Sequence, residues 1–117
     1  MDPETLLRHA AQRARREPTL LGFLLAQYQE HYGLTEKRLA EVLGIDELGL
    51  ARLSLCGLPR RTSFFEDVGA IAGRTGVRER ELAVIIREAE FLRNRRRERD
   101  AWFNFRAARR QEDDEET

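Results

Sequence analysis

The chain has 117 residues, 41% of them apolar and 36% charged, with 21 basic and 21 acidic side chains and a net charge of zero. That length fits one domain with extensions, and the apolar fraction supports a real but modest core. The single cysteine, Cys56, excludes an internal disulfide. No run approaches the roughly 18 to 20 apolar residues of a membrane span, and Asp2 and Glu4 stand where a signal peptide would be apolar, so a cytoplasmic protein with no membrane partner is expected.

Only three prolines and few β-branched residues favour helices. Asp2-Pro3-Glu4 starts the first, with Asp as N-cap, Pro at the first position and Glu in the first turn. It is predicted to run to about Arg16, with Leu6, Leu7, Ala10 and Ala14 on one face. Pro18 breaks it and can begin the next helix. Leu20, Leu21, Leu24, Leu25 and Tyr28 repeat at helical spacing, with Phe23 widening the stripe, up to Gly33. Thr35 caps a short helix carrying Leu39, Val42 and Leu43 and ending at Gly44. Asp46 caps another, with Leu50, Leu53 and Leu55, ending near Gly57 and followed by Pro59. Ser63-Phe-Phe-Glu66 has the form of a capping box for a helix holding Phe64, Phe65, Val68, Ile71 and Ala72, up to Gly76. The last and longest helix buries Leu82, Ile85, Ile86, Ala89 and Leu92, turns arginine-rich after Leu92, and is expected to leave the core there.

Between Leu24 and Ile86 the order is a helix of about 14 residues, Gly33-Leu34-Thr35, a short helix, a tight turn, a second short helix, a proline loop and two more helices. Ala40 is small enough for the next helix to cross close by. Gly44 permits a left-handed turn, and Ile45 and Leu50 plug the core beneath it. Gly33-Leu34-Thr35, Leu39-Ala40-Glu41-Val42-Leu43-Gly44-Ile45, Arg52-Leu53, Val68-Gly-Ala-Ile71-Ala-Gly-Arg-Thr75-Gly76-Val77 and Leu82-Ala83 together resemble the Cro and phage-repressor family of helix-turn-helix domains.

The resemblance covers about 60 residues. It implies an all-α, five-helix domain that associates with double-stranded DNA as a regulator, paired as a homodimer on two half-sites. It places Lys37 and Arg38, and Arg60 and Arg61 after Pro59, where phosphates are contacted. Base edges are read by Arg, Lys, Asn and Gln, and within the helix that opens Asp46-Glu47-Leu48-Gly49 only Arg52 qualifies. Glu36 stands where the family often has a glutamine near a phosphate, and Gly49 costs that helix about 1 kcal/mol relative to Ala. This acidic, apolar opening supports the alternative, a helix-turn-helix-derived interaction or assembly module that does not read sequence.

Cys56, among apolar neighbours, reads as a packing residue. His9 and His31 are isolated. With no metal-ligand spacing, no Ser/His/Asp set, no P-loop and no GxGxxG, neither an enzyme nor a cofactor is expected.

Charge is uneven along the chain. Residues 93–110 carry eight Arg against two acids, and 111–117 carry five acids and no base. At about 100° per residue Phe91, Trp102 and Phe105 fall near one face, with Phe103 beside them. These rings can fold back on the first helix, anchor a second copy or another protein, or act with the arginines on nucleic acid or an anionic membrane. The expected organisation is an N-terminal helix over 1–17, the helix-turn-helix domain over 18–92, an arginine- and aromatic-rich helical extension over 93–110 and an acidic tail over 111–117.

Overall fold

A computed structural model of the chain describes residues 1–115, with side chains described as far as residue 108. Of the acidic tail expected over 111–117, residues 116 and 117 lie outside the described residues, as do all side chains from residue 109 onward. Among the described residues there are six α-helices: α1 (Pro3–Ala14), α2 (Leu21–Tyr32), α3 (Glu36–Leu43), α4 (Glu47–Ser54), α5 (Phe64–Thr75) and α6 (Glu79–Glu115), with a 3-10 turn over Arg61–Ser63. Among the described residues the only β-type pairing is an isolated bridge between Leu20 and Gly57.

Local chemistry sets most of the boundaries. The side chains of Asp2, Thr35 and Asp46 accept hydrogen bonds from the backbone N–H groups of Thr5 at 2.7 Å, Arg38 at 3.1 Å and Gly49 at 2.6 Å. Each thereby satisfies a donor that its helix cannot. At the other ends, Gly33, Gly44 and Gly76 adopt left-handed φ values of 65°, 75° and 78°, a conformation that only glycine takes without steric cost.

The core collects Leu21, Leu24 and Leu25 of α2, Leu39, Ala40 and Leu43 of α3, and Leu50 and Leu53 of α4. Phe64, Val68 and Ile71 of α5 join them, with Val77 and the α6 stripe of Leu82, Ile85, Ile86 and Ala89. α2 packs against α6, α4 and α1, and α6 also covers α5 and α3. Two tethers fix the start of α6: the Arg78 N–H donates to the Leu43 carbonyl at 2.9 Å, and the Tyr32 hydroxyl donates to the Glu88 carboxylate.

Four expectations need correction. α1 stops at Ala14, and Leu6 stands in solvent while Leu7, Ala10 and Ala11 face inward beside buried Ala14. Pro18 does not begin α2, because the Leu21 N–H donates to the Cys56 carbonyl at 2.8 Å and the Leu58 N–H to the Thr19 carbonyl at 3.2 Å. That extended pairing holds the chain out of helix until Leu21. α4 ends at Ser54 rather than near Gly57, which leaves Leu55 exposed. Ser63 forms no capping hydrogen bond: the 3-10 turn runs directly into α5 and leaves Ser63 at φ −133°, ψ 34°, away from cap geometry. α1 packs on α4 and α2.

Candidate functional site

α3 and α4 are eight residues each and are joined by Gly44, whose N–H is accepted by the Glu41 carbonyl at 3.1 Å, while the Ile45 N–H donates to the Ala40 carbonyl at 3.0 Å. The Arg78 side chain lies over this turn so closely that a Cβ on Gly44 would meet its Nε at 2.9 Å. Gly49 has a packing reason as well, since a Cβ there would meet the Ile45 Cβ at 3.2 Å and Asp46 Oδ1 at 3.0 Å. The helix propensity lost at Gly49 is offset by a close, capped turn.

α4 is covered on two sides. Leu50 and Leu53 enter the core. α1 lies along the flank formed by Glu47, Ala51 and Ser54, so Ala51 and Ser54 are buried although both would face outward in an uncovered helix. Contact is closest where three helices meet: a Cβ on Gly22 would lie 2.9 Å from the Ala14 Cβ and 3.1 Å from the Ser54 Cβ.

A polar latch holds α1 in place. Arg15 donates to the Gln29 amide oxygen at 3.0 Å and lies 3.6 Å from Glu36. Gln12 donates to the same Glu36 carboxylate at 3.3 Å, and buried Gln29 donates onward to the Leu34 carbonyl at 3.3 Å. Glu36, at the first turn of α3, is thus occupied by α1.

Within α4 only Glu47 and Arg52 are exposed; Leu48 is half-buried, and exposed Leu55 follows the last turn. Arg52 is exposed, as a base-reading residue would be, but two leucines flank it and the Asp46 and Glu47 carboxylates open the helix. Lys37, Arg38, Arg60 and Arg61 are also exposed. Two of them are already paired. Arg38 bonds Glu41 at 3.0 Å on its own helix. Arg60 is clasped by Asp67, which accepts its Nε at 3.0 Å, its Nη2 at 3.1 Å and its backbone N–H at 2.9 Å. Side-chain and backbone bonds from Arg60 hold the Asp67 carboxyl down at about 2.

Gln12, Arg15 and Gln29 were not singled out by sequence reasoning, which read Asp67 only as a charge at a helix N-terminus, and no local pattern pairs these residues with their partners. Cys56 is half-buried; its thiol lies 3.7 Å from the Arg52 carbonyl, and burial pushes it up from the ordinary range despite Arg74 nearby. Among the described residues no group of three His, Cys, Asp or Glu side chains is placed to hold a metal, and no helix is long and apolar enough to cross a membrane.

The remaining predicted residues lie on α6. Beyond Leu92 and Arg93, both half-buried, every described side chain is exposed. Phe91 is 60% exposed, Trp102 61%, Phe103 72% and Phe105 57%, so none of the rings is folded back on α1. The rings of Trp102 and Phe105 stack at 6.0 Å with 26° between their planes. Nearer the core, Arg87 lies over the faces of Phe64 at 4.5 Å and Phe65 at 5.1 Å, a cation–π arrangement that still leaves Phe65 exposed.

Comparison with protein-family models, with curated proteins and with solved structures found no match.

Proposed function

We propose that the chain is a helix-turn-helix-derived interaction module, with the five-helix Cro and repressor-like order in α2 to α6, that acts through α6 rather than by reading bases. The observation that carries this reading is α1 lying on the Glu47, Ala51 and Ser54 flank of α4, latched through Gln12 and Arg15 to Glu36. A helix entering the major groove must present donors and acceptors to base edges along its outer face. Here one flank of that face is packed against the chain's own first helix. What is left offers one guanidinium between two leucines, beside two carboxylates. Of the expected phosphate contacts, Arg60 and Arg38 already have carboxylate partners.

A second reading, nonspecific association with polyanions, is favoured by the exposed arginines Arg95, Arg96, Arg97 and Arg99 on the free part of α6. Such contacts position a protein without specifying sequence. A titration against generic duplex DNA at about 50 and 200 mM salt separates both readings from base reading. The module reading predicts weak, strongly salt-dependent binding that Arg52→Ala leaves unchanged. Replacing Arg96 and Arg97 together with Ala lowers the salt slope by about two units. Tight binding that survives at the higher salt and falls with Arg52→Ala would contradict it.

A further inference from the structure

We propose that α6 pairs with α6 of a second copy, antiparallel, along one stripe of its exposed face. This rests on the reading of α6 as the interaction element and names its partner.

The stripe follows from helix geometry. At about 100° per residue, and taking Phe91 as origin, Val84 and Trp102 lie at about +20°, Arg95 at about +40°, Glu98 at about −20° and Phe105 at about −40°. The core-facing residues Leu82, Ile85, Ile86 and Ala89 lie on the other side of the helix. Val84, Phe91, Trp102 and Phe105 are all more than half exposed, and the stacked pair of Trp102 and Phe105 makes one continuous apolar slab. Apolar side chains therefore stand on one line at both ends of this stretch, on the part of α6 seated on the core and on the part that projects from it, with Arg95 and Glu98 between them. Phe103, about 120° from Phe91, stands off the stripe.

Charge selects both the partner and the direction. The segment 93–110 is strongly basic as a whole, yet the centre of the stripe holds one base and one acid, Arg95 and Glu98, while Arg93, Arg96 and Arg97 fall on other sides; Arg87, at about −40°, is turned over the Phe64 and Phe65 rings. A parallel pair would set Arg95 against Arg95 and Glu98 against Glu98. An antiparallel pair with its two-fold axis between Arg96 and Arg97 sets Arg95 against Glu98 of the second copy, twice. The same register sets Phe91 against Trp102 of the second copy, twice, because the two residues are equally far from the axis. Self-complementarity of this kind is what a two-fold interface between identical chains requires. A nucleic acid or anionic membrane would be met by the arginines on the other sides, not by this ring-bearing line.

The size is sufficient. Two copies bring six rings, each carrying about 150–250 Å² and each more than half exposed. Together with the helix surface between them, these reach the range of roughly 1,200 Å² at which specific interfaces begin.

Sedimentation of the full chain up to about 100 μM, with charge-swapped and ring-truncated variants, tests the proposal. The wild type is expected to dimerise. Phe91→Ala combined with Trp102→Ala, and each of Arg95→Glu and Glu98→Arg alone, should weaken the dimer by about tenfold or more. All these side chains are exposed, so helicity and the thermal transition of the core serve as the control that folding is intact. The decisive variant is the double swap R95E/E98R, which restores opposite charges across an antiparallel pair but leaves like against like in a parallel one. Recovery of the dimer in the double swap supports the register. A wild-type monomer, a dimer indifferent to the ring variants, or a double swap without recovery each overturns it. A monomer would leave the module reading standing for another partner, whereas base-specific duplex binding through Arg52 would overturn that reading whatever the oligomeric state.

Discussion

Ala14 of α1 meets Gly22 of α2 with no room to spare: a Cβ built on Gly22 would stand 2.9 Å from the Ala14 Cβ, with Ser54 of α4 on the other side at 3.1 Å. This one missing methyl group lets α1 lie down on α4. Gly22→Ala should therefore force α1 away from the core. Overpacking of this kind costs about 1–3 kcal/mol, offset only in part by the better helix propensity of Ala. Thermal unfolding of the variant, together with amide exchange over residues 3–14, checks it: the expected result is a lower transition and faster exchange in α1 than in α5.

Arg15 supports the same contact by polar means. Arg15→Ala removes a donor from the Gln29 amide oxygen, and Gln29 is buried. A buried polar group left without a partner costs about 1–3 kcal/mol. Glu36→Ala removes only an exposed acceptor and should cost less than about 1 kcal/mol, in line with surface ion pairs. Denaturant unfolding of the two variants side by side should rank them in that order.

How much of this was legible beforehand depended on range along the chain. The starts at Asp2, Thr35 and Asp46 and the stops at Gly33, Gly44 and Gly76 are local chemistry, complete within three or four residues, and each formed as the residue types demand. The α6 core stripe and its end near Leu92 followed from periodicity. Ser63 shows where a local motif loses to its surroundings: a 3-10 turn carries the chain into α5 and spoils the cap. The cover on α4 was out of reach, because helical spacing shows that Ala14 has an inner face but not which helix meets it. The pairing of Arg60 with Asp67 spans seven residues across a loop and a 3-10 turn, a separation that no regular period marks.

That pairing has a pH signature. Asp67 titrates at about 2 in the folded chain, below the ordinary value near 3.9 expected when it is unfolded. A depressed carboxyl stabilises the fold fully above its unfolded value, and the contribution is lost as pH falls through the folded one. Asp67→Asn should therefore be less stable than wild type at neutral pH. The gap between the two melting temperatures should close as pH is lowered from about 4 towards about 2. A gap that stayed constant over that range would remove the ionised clasp from the account.

Cys56 should be a slow thiol. Burial raises it, and the thiolate is the reactive form. Alkylation of the native chain at neutral pH should lag well behind that of the denatured chain, and the rate should climb steeply as pH rises towards the thiol's own range. Equal rates in the two states would show that the half-buried position gives no protection.

The closing of α4 by α1 is tested most directly by selecting duplexes from a random-sequence pool with the full chain and sequencing what is retained. The account predicts retention without any enriched motif, and the same result for Arg52→Ala, because Arg52 is the one exposed side chain of α4 that can donate to a base edge. An enriched motif that disappears with Arg52→Ala would contradict it and show that α4 enters the groove with α1 in place or displaced.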